Sequence, residues 1–143
     1  MTYGPRTIEK NLVRGDTVTY RVTVRPPSTG SNPTPSAIDL TGSRFRFTMK
    51  SEPEENKLQP PTPATVVKTS DDASEIEIAD QTVDDTRGQI LIKLQSADTR
   101  WLPAGRYVFD VKMYTAAGAQ YTVAVGKIFL RAAVGAAEDL TPP

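Results

Sequence analysis

The chain has 143 residues, 17 Lys+Arg against 17 Asp+Glu, and neither histidine nor cysteine. That length suits one domain with a self-sufficient core, while the composition excludes disulfides, thiolate metal sites and every Ser–His or Cys–His catalytic pairing. Zero net charge offers no field toward nucleic acid or anionic lipid, and no apolar run approaches the ~18 residues of a membrane helix, so neither partner is expected.

The charge is unevenly spread. Residues 1–50 carry eight Lys/Arg against three Asp/Glu, a net +5; residues 51–85 carry two against ten, a net −8; residues 86–143 carry seven against four, a net +3. An acidic solvated loop in mid-sequence accounts for this pattern. So does an assembly in which copies of the chain, or the chain and a neighbour, meet basic face to acidic face.

In chain order, residues 1–12 read as a polar amino-terminal arm around Pro5, with Ile8, Leu12 and Val13 forming a short edge strand or part of that arm. The opening decapeptide has no apolar h-region, so no secretory signal is expected. Arg14-Gly15-Asp16 turns the chain into Thr17–Arg25, where Val18, Tyr20, Val22 and Val24 alternate with Thr and Arg. This period of two is that of a strand with one face buried. Pro26 and Pro27 end it, because proline supplies no ladder N–H. Pro26–Ser36 is a proline-stiffened loop.

Asp39-Leu40-Thr41-Gly42 is a turn into a second alternating strand, Ser43–Lys50, with Phe45, Phe47 and Met49 inward and Arg44, Arg46, Thr48 and Lys50 outward. Residues 51–64 form an acidic, proline-rich excursion. Val66-Val67, Glu75–Ala79 and Gly88–Leu94 then read as three further short strands. Ser96–Trp101 is a helical turn, with Ser96 as its N-cap and Asp98 near the positive end of its dipole. Tyr107–Tyr114 and Tyr121–Leu130 form a hairpin around Ala116-Ala117-Gly118-Ala119, where Gly118 suits a positive φ. Gly126 interrupts the second arm, which predicts a bulge or a close backbone approach. Ala132–Pro143 is a small, polar tail.

About seven or eight short strands and one helical turn near 96–101 predict an all-β fold, an antiparallel β-sandwich of immunoglobulin-like or jelly-roll topology, over residues 13–131.

Few residues carry chemistry. Arg14-Gly15-Asp16 spells an integrin-binding tripeptide but is also ordinary turn chemistry before a strand. Asp71-Asp72 and Asp84-Asp85 lack the spacing of a calcium loop and read as solvated charge. Trp101, Tyr107, Tyr114 and Tyr121 would suit sugar stacking, but parity turns Tyr107 and Tyr121 inward and Trp101 reads as a cap on the open end of the sandwich. Tyr3 and Tyr114 remain exposed. The basic strand faces (Arg21 and Arg25; Arg44, Arg46 and Lys50) lack a phosphate loop and interleaved aromatics, which leaves protein–protein contact. The interface candidates are therefore Tyr3, Arg21, Arg25, Arg44, Arg46, Lys50 and Tyr114. No catalytic, cofactor-binding or metal-ligating residue is assigned.

The order of turns (Arg14-Gly15-Asp16-Thr17, Asp39-Leu40-Thr41-Gly42, Gly88-Gln89-Ile90, Ser96–Thr99 and Leu102-Pro103-Ala104-Gly105-Arg106-Tyr107) resembles that of the immunoglobulin-like β-sandwich domains of tailed-bacteriophage virion proteins, such as the N-terminal domain of upper baseplate proteins. The resemblance spans roughly residues 12–131. It implies a non-enzymatic virion protein, assembled in the host cytoplasm, that packs against major capsid or tail subunits and copies of itself. The chain departs from the baseplate pattern in ending soon after the sandwich and in carrying the loops at 26–36 and 51–64. Those departures suit a capsid decoration (cement) protein as well as a tail or baseplate component. A carbohydrate-binding module for host-surface attachment, using Tyr114 and nearby loops, is the alternative.

Overall fold

A computed structural model describes residues 6–25, 37–52 and 66–132. Its eight strands are β1 (Arg6–Val13), β2 (Val18–Thr23), β3 (Arg44–Ser51), β4 (Val66–Thr69), β5 (Ile76–Ile78), β6 (Gln89–Leu94), β7 (Gly105–Tyr114) and β8 (Gln120–Arg131), with one helical turn, α1 (Ser96–Thr99). They form a five-stranded sheet ordered β1-β8-β7-β3-β4 and a three-stranded sheet ordered β2-β6-β5. β2, β6 and β5 take the places of immunoglobulin strands B, E and D; β8, β7, β3 and β4 take those of G, F, C and C′. The topology is immunoglobulin-like. It departs from an all-antiparallel sandwich at one seam, where β1 pairs in parallel with β8 from Arg6↔Ala124 to Val13↔Arg131.

Of the two readings of Ile8, Leu12 and Val13, an edge strand or part of an arm, the seam bears out the edge strand, which begins at Arg6 and buries Leu12 in the core. Gly126 is what admits β1. A Cβ there would run into the Ile8 carbonyl oxygen and stand 2.7 Å from two Phe109 ring carbons. The close-approach reading of Gly126 therefore holds. The bulge lies elsewhere, at Val123, where the register slips from Val111↔Ala124 to Lys112↔Thr122. Val123 and Ala124 are consecutive and both buried, which moves the inward set from Tyr121 and Val123 to Ala124, Ile128 and Leu130.

The inner faces interlock as the alternation predicts. Val22, Val24, Ile76, Ile90, Ile92 and Leu94 from one sheet meet Phe45, Phe47, Met49, Phe109, Val111 and Met113 from the other. Phe109 lies two residues after Tyr107, where antibody domains carry the second cysteine, and its ring sits 5.3 Å from that of Phe47. The two rings are diagonal neighbours on the paired strands β3 and β7, so they stiffen the inner face of the five-stranded sheet. The Tyr107 hydroxyl donates to the Pro103 carbonyl at 2.6 Å, forming a tyrosine corner that ties the start of β7 to the loop before it.

α1 starts one residue earlier than its sequence suggests. Gln95 is the N-cap, and the Asp98 carboxylate accepts the Gln95 N–H at 2.7 Å. Trp101 does not cap the sandwich; it is 75% exposed on the turn after α1. Leu102, packed against the core, takes the covering role instead.

Candidate functional site

Period-2 alternation places Arg44, Arg46, Thr48 and Lys50 of β3 on the outer face of the five-stranded sheet. The antiparallel register sets them opposite Tyr114, Lys112, Asp110 and Val108 of β7. Four of the seven interface candidates, Arg44, Arg46, Lys50 and Tyr114, are thereby brought onto one surface. Arg21 and Arg25 are not among them. They follow the outward parity of β2, on the other sheet. Tyr3 lies outside the described residues.

Arg44, Arg46, Val67, Thr69, Asp71 and Tyr114 line an open groove of about 320 Å³ across the ends of β3, β4 and β7. Arg44 grips Asp71 with two parallel hydrogen bonds, Nε to Oδ1 at 3.1 Å and Nη2 to Oδ2 at 2.8 Å. Those bonds hold the Asp71 carboxyl below the usual carboxylate range and raise the Arg44 guanidinium above its own. Both side chains are more than half exposed, so the pair fixes orientation more than it stabilises the fold. The Arg46 side chain has neither an ion pair nor a hydrogen bond among the described residues. Asp71 was read as solvated charge; the pairing that makes it part of the groove joins positions 27 residues apart and has no local signal.

Further along the same face, Lys112 Nζ donates to Thr122 Oγ1 and Lys127 pairs with Glu52 at 3.3 Å. The Arg106 guanidinium lies 5.8 Å from the centre of the Phe129 ring. The surface is cationic, dotted with apolar atoms and shallow. Guanidinium and ammonium groups on such a surface could meet carboxylates with little desolvation.

The acidic residues behave differently. Asp39, Asp72 and Asp80 each fold back to accept the N–H and hydroxyl of the residue two positions on, Thr41, Ser74 and Thr82. These bonds lower all three carboxyl pKa values. Asp84 pairs with Arg87 at 3.0 Å and Glu77 with Lys93 at 2.8 Å. Among the described residues no three carboxylates gather as a metal site would require.

Two structural anchors escaped the sequence reading. Lys68 points inward from β4, an 8% exposed residue whose ammonium reaches Asp98 Oδ2 at 2.7 Å. It couples the edge of one sheet to α1, and an inward charge also blunts an edge strand against stray pairing. The Gln81 Oε1 accepts the backbone N–H of Leu40 and of Gly88, each at 2.9 Å, while its Nε2 donates to Ala79 O. Val-Val-Lys-Thr hints at an inward lysine through parity alone; the glutamine gives no such hint. In the core, the Tyr20 hydroxyl has no hydrogen-bond partner, and burial pushes its pKa up.

The aromatic platform does not form. Trp101 precedes β7 and Tyr114 is the last of its ten residues, so the length of the strand, roughly 30 Å, separates them.

No family model matches the chain, and no curated protein does. Among solved structures it is similar to murine CRIg, with 12% identity, a TM-score of 0.31, and coverage of 90% of this chain and 93% of that one.

Proposed function

We propose that this protein is a non-enzymatic structural component of a tailed-phage virion, in the capsid decoration or tail/baseplate class, that binds neighbouring subunits through the outer face of its five-stranded sheet. The observation that carries this reading is the cationic face built by Arg44, Arg46 and Lys50 on β3 and by Lys112 on β7. The order of turn motifs along the chain supports the phage setting. The site of action is the virion, assembled in the host cytoplasm. One small sheet face falls short of the about 1,200–2,000 Å² that stable interfaces bury, so contact with more than one neighbour is expected.

The test is incorporation into particles. Mass spectrometry of purified virions finds the wild-type chain, whereas Arg46→Glu/Lys50→Glu, folded by circular dichroism, is depleted. Virions that contain no copy of the wild-type chain overturn the reading.

The exposure of Trp101 favours one second reading, a carbohydrate-binding module for host attachment. Titrating host polysaccharide while following Trp101 emission decides it, and a flat response rejects it.

A further inference from the structure

We propose that the β5–β6 turn of one copy, residues 80–85, docks with Val83 foremost into the β3–β4–β7 groove of a second copy. This takes from the reading above only that the five-stranded face is a contact surface; it does not depend on the phage setting.

The two surfaces are complementary in polarity and charge. Among the described residues the large apolar side chains left exposed are Val13, Val67, Val83 and Trp101. Val67, 39% exposed, sits in the groove beside Tyr114 and Arg46, whose side chain has no partner among the described residues. Val83, 45% exposed, stands on the turn directly before Asp84 and Asp85. One surface is an apolar floor beside Arg46 and the Arg44–Asp71 pair, and the other is an apolar knob beside carboxylates. Asp84 is held by Arg87, which leaves the exposed Asp85 carboxylate to meet Arg46.

The turn is held ready for this. The Val83 carbonyl accepts the N–H groups of Thr86 and Arg87 at 3.2 and 2.9 Å, and the Thr86 hydroxyl donates to Asp80 O. Gln81 pins the base of the turn to Leu40 and Gly88. A pre-ordered segment loses little conformational entropy on docking.

Turn and groove belong to opposite sheets, so the contact is head-to-tail, and each copy can offer its turn to one neighbour and its groove to another. Such contacts build rings or chains where copies are held close. They are small, well below the area of a stable dimer, so the association is weak in dilute solution.

The absence of cysteine makes the test clean. Val83→Cys and Val67→Cys proteins are purified separately, mixed at low salt and oxidised. The expected result is several-fold more cross-linked dimer in the mixture than in either variant alone, falling toward background at about 1 M salt, where charge contacts are screened. Adding Arg46→Glu to the Val67→Cys chain lowers the yield, and adding Asp85→Lys to the Val83→Cys chain restores it. Circular dichroism confirms that each variant is folded. A mixture that cross-links no better than the separate variants overturns the proposal, as does a yield indifferent to salt and to the charge swap. Neither result bears on virion incorporation, which is read independently.

Discussion

The two sheets put charge to different uses. On the three-stranded side Lys93 is held by Glu77 and by the Ala73 carbonyl, Asp84 holds Arg87, and Asp72 and Asp80 spend their carboxylates on their own turns. On the five-stranded face Lys112 and Lys127 are held by Thr122 and Glu52, but the Arg46 side chain has no partner among the described residues and the Arg44–Asp71 pair is open to solvent. Charges satisfied within the chain build a scaffold, whereas those left unsatisfied on a rigid surface are available to a neighbour. The larger sheet can be that surface because its strands are long, eight to twelve residues in β1, β3, β7 and β8, and because aromatic packing and the tyrosine corner hold it firm.

The harshest way to break this contrast is at the seam. Gly126→Ala drives a methyl group into the Ile8 carbonyl and the Phe109 ring. β1 must shift or detach, at an expected cost of about 3 kcal/mol or more given the strain and lost packing. Chemical denaturation gives the stability loss, and hydrogen exchange should show amides of β1 and β8 losing protection while those of β2 and β6 keep theirs. Equal loss in both sheets would mean that the seam is not a local feature.

A gentler cut is Tyr107→Phe, which keeps the ring and removes the bond to Pro103. The expected loss is about 1 kcal/mol, the usual net worth of one hydrogen bond. Trp101, in the same loop, reports whether the corner loosens through its emission and anisotropy.

Acid titration makes the smallest change and touches both sides, Asp39 and Asp71 beside the five-stranded sheet and Asp72 and Asp80 beside the three-stranded one. Asp39, Asp72 and Asp80 have folded-state pKa values below their ordinary ones because of hydrogen bonds, and Asp71 because of Arg44. A depressed pKa means that the unfolded chain binds more protons. The stabilisation is therefore complete above the ordinary carboxylate pKa of about 3.9 and is lost as pH falls through the lowered values. The denaturation midpoint should fall as acid is added below about pH 5, and Asp72→Asn/Asp80→Asn should flatten that fall. An unchanged slope in the double variant would show that these turns do not couple to folding.

Much of the architecture was legible because it is written in neighbouring residues. Thr17–Arg25, Ser43–Lys50 and Tyr107–Tyr114 alternate with period two, and β2, β3 and β7 follow with the predicted residues inward. The outward set on β3 was equally readable, since parity alone exposes Arg44, Arg46 and Lys50. Gly126 announced a close approach, although not which strand would approach.

Local pattern could not reach the features made by distant partners. The parallel pairing of β1, the bulge at Val123 inside an unbroken apolar run, the Lys68–Asp98 pair and the Asp71 wall of the groove each depend on which segments meet. Trp101 shows the same limit from the other side. Apolar character predicted burial, yet Leu102 packs against the core and leaves the tryptophan outside. Alternation along a chain sets which way each side chain points, because successive Cβ atoms must face opposite sides of a pleated strand. What stands opposite it follows from the packing of the two sheets and the paths of the loops between them, and hence from contacts among residues far apart in the chain.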